Sequence, residues 1–272
     1  MTEVRGSRRA RTAAGLAVLF AAGCATAVPL QTASTVDPGV VRLSGQVTSS
    51  PWCTVSGSWG SCALAPGNHS LGLPELRLAG RVGVHDRVDV GLSAFGTLVP
   101  GAGWRWGALA DGKVEVWRQE IAPGRKHVLS AGLGLGYTRL DDTRGGKPQD
   151  ESYQQMDVVV PLRYGYQFQG VELFAGPHFV ERISFDPPGM KGVAEVPWLG
   201  LSVGLITRGR AKVGVGFSYE APLRYFDAGV FNLTAGFLFD LGGNGVARPQ
   251  GDRDPGVSKS PVLEAERPTP SG

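Results

Sequence analysis

Few side chains in this sequence are equipped for acid–base or nucleophilic work. The chain of 272 residues holds four histidines and three cysteines. His69 is followed by Ser70, and Asp141 by Asp142, in two stretches without strand periodicity. A histidine base, a carboxylate that orients it and a hydroxyl nucleophile make a hydrolytic site only when they converge within hydrogen-bond reach. Here convergence is left to the fold. The plain reading is a loop histidine and a solvated loop tip; the chemical one is a site at an outer rim. His178 shares a polar strand face with glutamate, as a hydrogen-bonded structural group or a further candidate. His85 falls in a turn and His127 at a strand edge. No cofactor and no metal are expected. There is no P-loop, nucleophile elbow or paired metal-ligand spacing. The GLGLG run at Gly132–Gly136 alternates along a strand with no helix pattern after it, unlike a dinucleotide loop.

The elements that must position these residues are strands. Val213, Val215, Phe217 and Tyr219 alternate with Lys212, Gly214, Gly216, Ser218 and Glu220. Phe231, Leu233, Ala235, Phe237, Phe239 and Leu241 alternate with Asn232, Thr234, Gly236, Leu238 and Asp240. Period two marks strands whose faces meet different surroundings. The pattern recurs in ten stretches: 40–49, 73–84, 88–97, 104–118, 127–140, 154–168, 171–183, 195–207, 210–221 and 229–241. One face is aliphatic and aromatic, and nothing in the sequence covers it. The other carries glycine, serine and charge. A barrel in lipid, apolar outside and polar inside, satisfies both faces and the backbone. The expected fold is all-β: an antiparallel up-and-down transmembrane β-barrel over 40–241, of about ten strands. Eight is the alternative, with the first hairpin outside the membrane. The connections alternate between tight and long, as in barrels with short periplasmic turns and longer external loops.

The polar faces collect charges nearly balanced in sign: Arg77, Arg81, Asp111, Lys113, Glu115, Asp157, Arg163, Glu172, His178, Arg182, Lys212 and Glu220, with Arg42, Glu75, Asp89 and Asp240. In a narrow barrel they form a lumen network of ion pairs or line a narrow solute path. The formal charge of +3 is a property of the first residues. Without residues 1–23, which hold Arg5, Arg8, Arg9, Arg11 and Glu3, the 27 basic and 24 acidic residues become 23 and 23. The basic residues form no stripe, so nucleic acid is not an expected partner.

Residues 1–23 read as an export signal, with four arginines before the short apolar run Ala13–Ala22. Ala22-Gly23-Cys24 resembles the lipobox of bacterial lipoproteins, with Ala21 where leucine is usual. That resemblance implies cleavage before Cys24 and lipidation of its thiol, and Ala25 fits sorting to the outer membrane. An ordinary secretory signal is the alternative. Cys53 and Cys62 share one loop, and in an oxidising compartment such a pair reads as a disulfide. Residues 24–39 are expected to form a lipid-anchored tether. Residues 242–272, rich in Gly, Pro, Ser and charge, read as a disordered periplasmic tail.

The chain therefore resembles the small, eight- to ten-stranded outer-membrane β-barrel proteins of Gram-negative bacteria. Thr234-x-Gly236-x-x-Phe239-x-Leu241 looks like the signal by which the barrel-assembly machinery recognises its substrates. The resemblance implies an outer-membrane location, membrane lipid and the assembly machinery as partners, and a monomer. The expected role is structural, surface-interacting or narrow-pore, carried by external loops 50–71, 141–153 and 185–194. Ten-stranded outer-membrane proteases and lipid A acylation enzymes, which use acidic residues, histidine and serine near the rim, imply the alternative. That is an outer-membrane hydrolase acting on lipid A or peptide through His69, Asp141 and Asp142. A soluble periplasmic β-protein comes third.

Overall fold

Four two- or three-residue turns join the strands in hairpins. Pro123-Gly124 places proline before a glycine at φ 75°, and Gln169-Gly170 has both residues at positive φ, 36° and 87°. The first pairing suits a type II turn. The second is the geometry that matches the twist of paired strands. Asp86-Arg87 and Arg208–Arg210 make the other two. The computed structural model describes residues 29–49, 52–54, 74–99, 103–142, 153–185, 192–223 and 228–242.

The strands are β1 (Val41–Ser49), β2 (Trp52–Thr54), β3 (Glu75–His85), β4 (Val88–Val99), β5 (Gly103–Ala122), β6 (Arg125–Asp142), β7 (Tyr153–Phe168), β8 (Val171–Phe185), β9 (Val193–Thr207), β10 (Ala211–Pro222) and β11 (Ala228–Leu241). From β3 to β11 each pairs antiparallel with its sequence neighbours, β3 also pairs with β1, and β1 closes on β11 from Val41↔Leu241 to Ser49↔Leu233. β2 is not an eleventh stave. It pairs Trp52↔Val230 to Thr54↔Ala228, which continues the β1–β11 register. The long loop expected to begin at Pro51 thus leaves the wall later than the periodicity implied. The result is an all-β, ten-stranded, antiparallel closed barrel, and ten is the count, not eight.

Its faces are inverted relative to a soluble protein. Leu78 on the outside is 71% exposed, whereas Asp89 on the inside is 0% exposed. Leu76, Leu92, Leu133, Leu135, Val213, Leu233 and Phe237 are also exposed. At roughly 25 cal/mol per Å² such a surface is costly against water and neutral against lipid. Aromatic side chains mark its two margins. Trp106 packs edge-on to Tyr137 near the long-loop end, while Trp117, His127, Tyr166 and Phe168 stack near the short-turn end. Trp106 and Trp117 lie about 36 Å apart along β5. With the usual strand tilt that is about 28 Å along the axis, close to the thickness of a barrel's lipid-facing band.

The interior is not wholly polar. Leu109, Val159, Val180, Trp198 and Val230 form one buried cluster, and Leu30, Phe174, Ile206 and Leu238 another. Leu30 belongs to neither strand nor loop. The segment expected as a tether, 24–39, is described from Pro29 onward, and there it lies inside the barrel. Asp37-Pro38-Gly39-Val40 is the cause. Val40 N donates to Asp37 O (3.0 Å) and Gly39 has φ 73°, a type II turn that folds the chain back from the start of β1. Gly39 N donates to Gly83 O and Gly83 N to Val40 O, which pins the turn to β3. A Cβ on Gly83 would collide with the carbonyls of Val36 and Asp37, so only glycine admits the segment there. Ala33 and Val36 are fully buried, and Leu30, Thr32, Ser34 and Thr35 nearly so.

Candidate functional site

The plug, residues 29–37, has no regular hydrogen-bonding partner strand, so each of its backbone groups needs a side chain. Irregular backbone at membrane depth is tolerated only when protein satisfies it. The lumen supplies acceptors and donors in opposite places. Glu172 on β8 accepts from Ala33 N (2.6 Å), Ser34 N (3.3 Å) and Ser34 Oγ (3.0 Å). Glu115 on β5 accepts from Thr35 N (2.5 Å) and Thr35 Oγ1 (2.8 Å). Asp89 on β4 accepts from Val36 N (2.9 Å). In the other direction, Lys113 Nζ donates to the carbonyls of Thr32 (2.9 Å) and Ser34 (2.7 Å). Arg163 donates to those of Gln31 (3.2 Å) and Pro29 (3.0 Å). Gln46 on β1 bonds both Leu30 N (2.9 Å) and Leu30 O (3.2 Å).

Around this lower, turn-side tier the remaining charges pair with one another. Arg81 bridges Asp89 (2.6 Å) and Asp111 (2.5 Å), and Lys113 lies 3.4 Å from Asp89. Arg42 pairs with Asp240 (2.6 Å), which also bonds Lys212. Gln167 bonds Glu172 (2.7 Å) and Ser34. Gly165 faces the plug because a Cβ there would stand 2.6 Å from Ala33 Cβ.

The upper tier, toward the long-connection end, is a separate network. Glu75 and Arg77 pair at 2.9 Å, with the Arg77 guanidinium 4.7 Å from the Phe95 ring centre. Arg182 pairs with Glu220 (2.9 Å), lies 3.7 Å from Asp157 and stacks 4.3 Å from the Trp198 ring centre. Gln155 bonds Asp157 (2.6 Å), and His178 Nε2 lies 3.3 Å from Glu220. Two cavities of about 10 and 20 Å³ flank Pro29, each enough for roughly one water.

The twelve lumen residues named from the sequence thus all point inward, in two tiers. His178 stands in the upper tier with no hydroxyl or thiol partner among the described residues. Asp141 and Asp142, expected in a loop, are the last residues of β6, opposite Trp104 and Gly103 at the long-connection end. His69, Cys24 and Cys62 lie outside the described residues, as do residues 1–28, 243–272 and most of the three named loops; Cys53 is the middle residue of β2. Among the described residues no group of His, Cys, Asp and Glu could hold a metal ion. Sequence reasoning missed the plug itself. Its signal was Asp37-Pro38-Gly39, a turn directly before the first strand, preceded by small residues.

No protein-family model and no curated relative matches the chain. Solved structures similar to it include the outer membrane protease OmpT of Escherichia coli (13% identity, TM-score 0.40, covering 77% of this chain and 100% of that one). Others are Neisserial surface protein A (13%, TM-score 0.34, 74% and 96%) and the β domain of the Bordetella autotransporter BrkA (10%, TM-score 0.38, 75% and 100%). At these scores the likeness carries no argument of its own. The barrel's inverted faces, closed ten-strand wall and asymmetric connections make this an outer-membrane β-barrel protein.

Proposed function

We propose that this protein is a closed, non-enzymatic barrel that serves at the cell surface through its external loops, within 50–74, 143–152 and 186–192. In this reading the signal is removed after Gly23, Cys24 is acylated and Cys53 pairs with Cys62. The barrel-assembly machinery inserts the chain into outer-membrane lipid as a monomer. The filled lumen carries the proposal. The plug and two charge tiers fill the described lumen, the cavities beside Pro29 are water-sized, and among the described residues His178 has no hydroxyl or thiol partner. A barrel so filled is a rigid support, and binding then falls to the loops it presents.

The test is reconstitution of the full-length protein in planar lipid bilayers. The expected result is no steady ion conductance. A reproducible open level from the wild-type protein overturns the closed-scaffold reading in favour of a narrow pore.

A further inference from the structure

Closure removes every sheet edge inside the membrane, but at the short-turn end one strand outruns its neighbour. β5 pairs with β4 only as far as Val114↔Val88, and Glu115 N donates to Arg87 O (2.8 Å) just past that point. On its other side β5 stays paired with β6 down to Ala122↔Arg125. Val116 to Ala122 therefore keep one edge that no described residue pairs with. Trp117 stacks on His127 in the aromatic margin, so the residues after it stand on the periplasmic side of the lipid. From Trp117 to Ala122 the edge is about 17 Å long, the length of an ordinary strand. Val116, Trp117 and Ile121 are exposed along it. Beside it stand exposed Arg87, Arg118 and Arg125 and half-buried Lys126, against exposed Asp86 and Glu120. The buried Glu115 is already engaged, with Arg118 (2.5 Å) and with the plug at Thr35. Exposed Arg208 and Arg210 extend the positive rim at another turn.

From this edge we infer that the short-turn end is a docking site for an extended, acidic segment of a periplasmic protein. The segment adds a strand antiparallel to β5, in the line of β4 and beneath the Asp86-Arg87 turn. The inference concerns the end of the barrel opposite the external loops and does not depend on their role. Alternate residues of β5 turn their N–H and C=O groups to the free side, which gives about two or three pairs of main-chain hydrogen bonds. Those bonds require an extended polypeptide. Apolar side chains of the incoming strand cover Trp117 and Ile121, and its carboxylates meet Arg118 and Arg125. Arg118 is held at the head of the edge, where it donates to the Asp86 carbonyl (3.2 Å). A second copy in the same membrane does not fit. Two barrels inserted with the same orientation are related by rotation about the membrane normal, which preserves the up or down sense of every strand. With strands tilted by about 40°, their β5 edges cross at roughly 80° and cannot form an antiparallel ladder.

The experiment uses the full chain in lipid nanodiscs, with amide hydrogen exchange read residue by residue. The probe is a short peptide alternating valine and glutamate. It should slow exchange of the Val116–Ala122 amides that point away from β6. The same peptide with lysine in place of glutamate should bind roughly tenfold more weakly. Equal binding of the two peptides overturns the acidic partner, and no added protection at the edge overturns the docking site. Edge amides already protected without peptide overturn it as well: protection independent of protein concentration means that the edge is filled by this chain itself, and protection that rises with concentration means a second copy. Protection that follows the anionic phospholipid content of the disc, and not the peptide, assigns the rim to headgroups and also overturns the inference. Arg118→Gln with Arg125→Gln should erase the preference for glutamate over lysine, in protein whose unheated gel mobility shows a folded barrel. A preference that survives the double substitution overturns the role of these cations. If that variant does not fold, the two peptides on the wild-type protein decide.

Discussion

Glu172→Ala should unseat the plug. The carboxylate takes two backbone N–H groups and one hydroxyl from Ala33 and Ser34, at 2.6, 3.3 and 3.0 Å. Hydrogen bonds to a buried charge contribute about 1.5–3 kcal/mol each. The two to Oε1 share one atom, so the set is worth roughly 3–5 kcal/mol, or about two to nearly four orders of magnitude in the plug's docking equilibrium. The substitution also leaves those donors buried without acceptors, and water outside the lumen can satisfy them. The docked state loses on both counts. The assay is bilayer conductance of the purified variant beside wild type. Glu172→Ala should open long-lived conducting levels, and Glu172→Gln, which keeps one acceptor oxygen, should open them less often. Glu220→Ala is the control, because it removes an equally buried carboxylate from the upper tier without touching the plug. If Glu172→Ala stays closed while Glu220→Ala conducts, the plug does not seal the lower lumen and the reasoning is refuted.

Three other outcomes follow from the same structure. Gly165→Val should release the plug, because its Cβ would stand 2.6 Å from that of Ala33; pairing Gly165→Ala with Ala33→Gly should keep the barrel closed, read by conductance. Leu78→Arg places a charge on the lipid face of a central position and should cost about 2–4 kcal/mol in denaturant unfolding from vesicles; an effect no larger than that of Leu78→Ala sinks the membrane-facing assignment. Trp198→Ala, buried beneath Arg182, should lower stability by about 3–5 kcal/mol, seen as a lower temperature for the shift between folded and unfolded gel mobility, without opening conductance.

The wall was legible in the sequence because its physics is local. Alternation of Leu76, Leu78 and Val82 with Glu75, Arg77 and Arg81 fixes which face meets lipid, and Gln169-Gly170 announces its turn without help from the rest of the chain. What was hidden is non-local. Nothing near Glu172 in sequence reveals that it accepts hydrogen bonds from residues 33 and 34, more than a hundred positions away. Asp141-Asp142 read as a loop because two adjacent carboxylates break the alternation; pairing with Gly103 and Trp104 carries the strand through them. Trp52–Thr54 were read as loop for a similar reason. Pro51 interrupts the pattern, and only the register against β11 shows that the strand resumes.

The plug also accounts for a cost the wall alone does not explain. Arg163 and Glu172 are buried charges, and among the described residues neither stands in an ion pair. An isolated charge inside a protein is costly by several kcal/mol unless hydrogen bonds replace its water. Here they come chiefly from the plug: carbonyls of Pro29 and Gln31 for the cation, and N–H groups of Ala33 and Ser34 for the anion. Take the plug away and the two side chains cannot remain dry. Either they swing together across the lumen or water fills the lower tier. Arg163→Met with Glu172→Met distinguishes a plug that merely fills space from one the charges hold. If the segment docks by shape and apolar contact at Leu30, the double substitution should leave the barrel sealed and more stable. If the charges hold it, the same variant should lose the seal even though its lumen is drier by composition. The geometry at Ala33, Ser34 and Pro29 favours the second outcome.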